Sequence, residues 1–257
     1  MFEIIFFGIL QGLLEWLPIS SQGNLVLAMV GIFGYQPEKA ISLSLFLHLG
    51  TLLVALVYFR KEIREILIHF KNNQDKVIPF LIVSSLVSGL VGLPFFLLLT
   101  TPIWTGELLI ALTGLFLIIT GVLQKSAISK ELKEEKNISI KDSLLVGVAQ
   151  GFSIIPGLSR SGITISTLLF RSYKAETALK LSFLMSIPAV LMAQIGVILF
   201  QGLPAITITE GIAGLSSAFL SGMLSIHLFL KLARRVKFWL FCIVLGIVAL
   251  IPLFFLI

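Results

Sequence analysis

Gln11-Gly12-Leu13-Leu14-Glu15-Trp16-Leu17-Pro18-Ile19-Ser20-Ser21-Gln22-Gly23-Asn24 and Pro156-Gly157-Leu158-Ser159-Arg160-Ser161-Gly162 interrupt long apolar sequence with Pro, Gly, hydroxyls and one charge each. Arg160 is a permanent cation among glycines and serines, with apolar residues on both sides. A charge in such surroundings is costly unless it is paired, and by default it marks function. Glu15 is the matching carboxylate in the first stretch. Gln11 and Glu15, four residues apart, share a helical face. Gly8 and Gly12 lie on an adjacent strip that permits close helix contact, so the carboxylate points into protein. Ser20 and Ser21 after Pro18, and Ser159 and Ser161 after Gly157, stand where new helices begin. Backbone N–H groups, helix dipoles and hydroxyls there favour an anion, and Arg160 adds a planar fork of donors.

The composition surrounding these stretches is that of a chain living in lipid: 57% hydrophobic and 12% charged residues, with a mean hydropathy of +1.07. The fold expected is all-α and integral to the membrane. Six stretches have the roughly 20 apolar residues that a crossing needs: about 41–59, 77–99, 108–124, 181–200, 211–230 and 238–257. The segments 4–17, 22–33, 143–155 and 163–170 are too short to cross. They are expected to form two re-entrant helical hairpins. Glu3 near the start and the lack of a small-residue cleavage pattern place the first segment in the mature fold.

All of the 19 Lys and Arg except Lys39 and Arg160 fall on one face under this topology. They include Lys71, Lys130, Lys231, Arg234 and Arg235, whereas the loops 100–107 and 201–210 carry none. The positive-inside rule makes that face cytoplasmic and puts both termini outside. The net charge of +6 then reports topology and anionic headgroups, with no nucleic-acid partner. At a constant offset of 139, Gly8, Gln11, Gly12, Ser20 and Gly23 match Gly147, Gln150, Gly151, Ser159 and Gly162. The hairpins enter from opposite faces, so the expected architecture is an inverted repeat in one membrane domain. Residues 1–124 and 143–257 are its halves, and the Lys- and Glu-rich 125–142 is a solvated joint.

At these motifs the chain resembles the undecaprenyl-diphosphate phosphatases of the bacitracin-resistance type, over essentially its whole length. A PGxSRSGxT signature is met by Pro156, Gly157, Ser159, Arg160, Ser161, Gly162 and Thr164, and a second by Gln11, Glu15, Pro18, Ser20 and Ser21. Where the family continues with Gly-His, this chain has Asn24. The resemblance implies hydrolysis of a long-chain polyprenyl diphosphate in the cell membrane, at a site opening to the outer leaflet, with Mg²⁺ or Ca²⁺ shared by Glu15 and the substrate. It makes Glu15, Ser21 and Arg160 the core. Gln11, Ser20, Asn24, Gly157, Ser159, Ser161, Gly162 and Thr164 are the expected phosphate-binding set.

Ser21 is the expected nucleophile and Glu15 its base, and the rival is direct attack by water with Ser21 only binding phosphate. His48 is either a hydrogen-bonded bundle residue or a proton relay. Trp16, Trp104 and Trp239 are candidate interface anchors, with Trp16 alternatively shaping the pocket. Cys242 reads as a small packing residue. Because inverted repeats with mid-membrane anion sites also build transporters, a polyprenyl-phosphate flippase is the competing expectation.

Overall fold

The computed structural model describes residues 1–69, 76–99, 101, 103–127, 133–200, 202, 206–233 and 237–251. Lys71, Lys130, Arg234 and Arg235, parts of the joint and of the loops 100–107 and 201–210, and the end of the expected sixth span lie outside the described residues. Within them the chain is helical, apart from an isolated bridge between Lys133 and Tyr173.

The elements run α1 (Phe2–Leu14), α2 (Ser21–Val26) continued by a π-helical segment (Leu27–Ile32), α3 (Pro37–Tyr58), α4 (Arg60–His69), α5 (Val77–Leu99) and α6 (Gly106–Ser126). After a short 3₁₀ turn (Glu135–Asn137) follow α7 (Ile140–Phe152), α8 (Arg160–Phe170), α9 (Ala175–Phe200), α10 (Ile208–Ala233) and α11 (Phe238–Leu250). Local chemistry sets several starts. Pro37 opens α3, and the Thr105 and Ser139 side chains accept hydrogen bonds from the first turns of α6 and α7.

Among the described residues five helices, α3, α5, α6, α9 and α10, are long and apolar enough to cross a bilayer. Their outward residues are leucines that water would not tolerate in such numbers: Leu90, Leu199 and Leu224 are 76%, 72% and 86% exposed. α1 and α7, with 13 residues each, rise only about 20 Å, short of the roughly 30 Å hydrocarbon core. The described part of α11 also has 13 residues.

α1 packs along α10, and α7 along α5. Both contacts are built from small residues. A Cβ on Gly12 would lie 2.0 Å from Ser221 Oγ and 2.5 Å from the Ala218 carbonyl oxygen, and one on Gly151 2.6 Å from Val91 Cβ. With no hydrophobic drive between helices in lipid, such backbone approach supplies the attraction. α6 and α11 meet the same way through Gly114 and Gly246, while α3 contacts both α9 and α10.

Two basic segments are ordered in ways the sequence reading did not foresee. Residues 60–69 form a helix, because Ile63 and Ile66 lie on one side and pack against a core containing Val77, Phe80, Leu181 and Met185. The joint, expected to be solvated, is stapled to the turn before α9. Asp142 is fully buried and accepts from Arg171 (2.6 Å) and Tyr173 (2.8 Å), Lys180 pairs with Glu135 at 2.9 Å, and Lys174 pairs with Glu134.

Gly12→Val should lower stability by about 1–3 kcal/mol, seen as a lower thermal unfolding midpoint in detergent. Gly31→Ala, whose added methyl would meet nothing closer than Ile110 Cδ1 at 3.5 Å, should leave the midpoint unchanged. Equal midpoints for the two variants would contradict the close α1–α10 contact.

Candidate functional site

α1 ends by presenting Gln11 and Glu15, and the chain turns through residues 15–20 into α2. Ser20 holds the left-handed conformation, at φ 60° and ψ 82°, and its hydroxyl accepts from the Gly23 N–H at 3.2 Å. That geometry is sparsely populated for a non-glycine residue and persists where surrounding structure enforces it. In the second turn, residues 153–159, Gly157 takes φ +95°. A Cβ there would lie 2.3 Å from the Thr113 carbonyl oxygen, so both backbone angle and space call for glycine. Ser159 caps α8, accepting from the Gly162 N–H at 3.1 Å, and Arg160 is the first helical residue.

The two turns meet at Glu15. Its Oε1 accepts from Arg160 Nη2 at 2.5 Å, and its Oε2 from the Ser21 hydroxyl at 2.6 Å and the Gln11 amide at 2.9 Å. His48 Nε2 lies 3.3 Å from the same Oε2 and 3.4 Å from Ser21 Oγ. The other ring nitrogen, Nδ1, is 2.7 Å from the Ser44 carbonyl oxygen. That oxygen can only accept, so Nδ1 carries a proton, and Nε2 is the ring nitrogen turned to Glu15 and Ser21. Arg160 Nη1 donates to the Ser182 carbonyl at 3.3 Å. The charged side chains are 14% (Arg160) and 6% (Glu15) exposed.

α6 clamps both turns. The Thr120 hydroxyl donates to the Gly157 carbonyl (3.0 Å) and accepts from the Ser159 N–H (3.1 Å). One helical turn on, the Gln124 amide donates to the Pro18 carbonyl, which also accepts from Cys242 Sγ at 3.5 Å. Cys242 is thus more than packing. The Ser161 hydroxyl, 3.5 Å from the Leu17 carbonyl oxygen, links the second turn to the first.

A polar cavity of about 50 Å³ lies between the turns, lined by Glu15, Ser20, Ser21, Ser159, Arg160 and Ser161 among others. A second cavity of about 330 Å³, largely apolar, runs past Leu45, Leu93 and Phe96 to Leu199 and Phe200. Gln22, His48, Ser153 and Arg160 line both, so the two adjoin.

Of the residues singled out from sequence, Gln11, Glu15, Ser20, Ser21, Ser159, Arg160 and Ser161 gather here, and His48 joins them. Gly157 and Gly162 shape the second turn. Thr164 sits one turn behind Arg160, donating to its carbonyl at 2.8 Å, with its oxygen 2.7 Å from Ser182 Oγ. Asn24 is placed differently: its amide donates to the Ile19 (2.7 Å) and Ser20 (2.8 Å) carbonyls of the first turn, and it lines neither cavity. Trp16 is 1% exposed and packs on Phe183, which excludes an anchor at the interface. Thr120, Gln124 and Gln22 were not foreseen. Thr120 and Gln124 carry a usable signal, being polar residues one turn apart on a mainly apolar helix.

Apolar helices around a buried carboxylate, guanidinium and clustered hydroxyls define a multi-pass α-helical membrane protein with a donor-rich polar centre. The chain belongs to the family described as Bacitracin resistance protein BacA, whose profile matches residues 4–251. It is 47% identical to an undecaprenyl-diphosphatase of Methanococcoides burtonii, with 98% of each chain covered. Similar proteins of the same name occur in Haloarcula marismortui, at 38% identity over 94% of this chain and 93% of the relative, and in Halothermothrix orenii, at 36% over 98% and 97%.

Thr120→Val would strand a buried N–H and a buried C=O at the second turn, costing about 1–3 kcal/mol. Amide exchange at Ser159 should accelerate in this variant. Unchanged exchange there would contradict the clamp.

Proposed function

We propose that this protein hydrolyses an undecaprenyl-type polyprenyl diphosphate to the monophosphate and inorganic phosphate, returning the lipid carrier to cell-envelope glycan synthesis. The observation that carries the reading is the convergence of Ser21, Glu15 and Arg160 within one cavity, joined to an apolar cavity that suits a prenyl tail. Relatives matched over nearly their whole length bear the name of this activity. They favour hydrolysis over the flippase alternative, which has no such support.

In the proposed reaction the diphosphate takes the Arg160 guanidinium from Glu15. The fork binds two terminal phosphate oxygens, and the start of α8 adds N–H donors. Freed of its ion pair, Glu15 becomes a stronger base, 2.6 Å from the Ser21 oxygen. Ser21 Oγ attacks the terminal phosphorus as its proton passes to Glu15. The bridging P–O bond breaks, lipid monophosphate leaves with the bridging oxygen, and a phosphoserine remains. Glu15 returns its proton to the departing monophosphate oxygen. Water then gives a proton to the freed carboxylate as it attacks phosphorus, the P–O bond to Ser21 breaks, and the Ser21 oxygen takes that proton back from Glu15 as phosphate leaves. His48 Nε2 stands beside both oxygens as the relay.

The divalent cation implied by the resemblance has no cage of three or more Asp, Glu, His or Cys among the described residues. Glu15 is one carboxylate, and both its oxygens already accept hydrogen bonds. The donor set does not fit a resident ion, so Mg²⁺ or Ca²⁺ would arrive as a counter-ion of the diphosphate.

We also infer six crossings and two re-entrant hairpins in an inverted repeat with halves 1–124 and 143–257. The exchange of partners, α1 on α10 and α7 on α5, supports it, as an inverted copy would pack each first helix on the other half's middle span. We assign the basic face to the cytoplasm, with both termini outside. Met1, whose amine lies 3.6 Å from Glu210, is at the opposite end from the Arg171, Lys174 and Lys180 cluster. The apolar cavity reaches Leu199 and Phe200 at that end of α9, which supports a site opening to the outer leaflet.

Purified protein should release phosphate from undecaprenyl diphosphate with Mg²⁺ or Ca²⁺. Ser21→Ala should lower the rate by at least about a thousandfold and abolish a phosphoserine trapped by acid quench, whereas normal turnover in this variant would eliminate the nucleophile. Arg160→Lys, which keeps the charge and loses the fork, should cost about a hundredfold. His48→Gln should lower the rate by about a hundredfold, and full activity would remove the relay.

A further inference from the structure

Two amides at the seam between the cavities take no part in the steps above. Gln22 is 8% exposed, and its Nε2 is buried without a hydrogen-bond partner. Gln150 is 2% exposed: its Nε2 donates to Ser88 Oγ at 3.3 Å, while its Oε1 is buried and unpartnered. Both line the apolar cavity, and Gln22 lines the polar one as well. Gln11 Oε1 and Trp16 Nε1 are also without partners, but neither residue lines these cavities. An unpaired amide atom buried in a cavity wall is a place where a ligand, meeting the amide as it turns outward, recovers a desolvation cost already incurred.

We propose that Gln22, backed by Gln150, is the subsite for the phosphate that stays with the lipid. The inference rests on the proposed hydrolysis of a lipid diphosphate. With the terminal phosphate at Ser21 and Arg160 and the tail among Leu93, Phe96 and Leu199, the tail-proximal phosphate must lie at the seam. There Gln22 Nε2 offers a donor to its oxygen. The Ser88 hydroxyl can bond either end of the Gln150 amide, so that amide, once turned, presents a second donor. Neutral donors suit this position chemically. Cleavage raises the charge on the lipid-bound phosphate, and a cation at the seam would hold the product against release, whereas an amide orients the substrate and lets the monophosphate go.

The test compares Gln22→Met with the unaltered protein, measuring turnover of undecaprenyl diphosphate together with inhibition by undecaprenyl monophosphate and by inorganic phosphate. Loss of one hydrogen bond to a charged group should raise KM about tenfold and weaken inhibition by the lipid monophosphate about tenfold. Inhibition by inorganic phosphate and the unfolding midpoint should not change. Unchanged inhibition by the lipid monophosphate would overturn the proposal, as would a parallel loss of inhibition by inorganic phosphate, which would move Gln22 to the terminal phosphate. Should Gln22→Met fail to fold, Gln22→Asn, which retracts the amide, is held to the same two criteria. If the unaltered protein releases no phosphate, the hydrolysis reading fails by itself. Direct binding of the lipid monophosphate to both proteins, followed by tryptophan fluorescence, then still decides whether Gln22 holds that phosphate.

Discussion

A guanidinium and a carboxylate buried against each other at the meeting of two chain turns constrain everything else in this structure. Taking either charge out of water costs several kcal/mol, and their attraction repays it only when the remaining donors and acceptors are also satisfied. Glu15 is therefore surrounded by Ser21, Gln11 and His48, and Arg160 reaches on to the Ser182 carbonyl. A buried ion pair gives little net stability compared with apolar packing. Its retention beside hydroxyls and a cavity is better explained by use: the pair keeps both charges neutralised until a more highly charged ligand displaces one partner from the other.

Holding that pair in register requires the two turns to be fixed with respect to each other. The helices that deliver them are anchored on separate partners, α1 on α10 and α7 on α5, through contacts too close for any side chain larger than hydrogen at Gly12 and Gly151. α6 then ties the turns together from one side, Thr120 on the second and Gln124 on the first. Backbone carbonyls left over by the turns are consumed locally, as the Asn24 amide does for Ile19 and Ser20. In an apolar bundle no water is at hand to satisfy them, so the turn needs that amide.

The expense of intramembrane charge made the pairing of Glu15 with Arg160 legible in the sequence, and Pro, Gly and Ser marked the turns. Five of the six expected spans were equally readable, because apolar length is a property of sequence alone. What each apolar helix faces was not readable. α3 is apolar almost all round, so nothing in its pattern told whether His48 meets the bundle or the site, or that the Ser44 carbonyl holds its Nδ1. Asn24 shows the reverse problem: a motif position identified its neighbourhood but not the direction of its side chain. α4 and the stapled joint were missed because dense charge reads as solvation, although Asp142 is buried among Arg171, Tyr173 and Ser139.

The inferred chemistry turns on exchange of partners at Arg160, and a structure with a methylene-bridged undecaprenyl diphosphate analogue tests it most directly. The account predicts the terminal phosphorus between Ser21 Oγ and the Arg160 guanidinium, the Glu15–Arg160 hydrogen bond broken and the prenyl chain in the cavity beside Phe96 and Leu199. A headgroup bound elsewhere while Glu15 and Arg160 stay paired would contradict it.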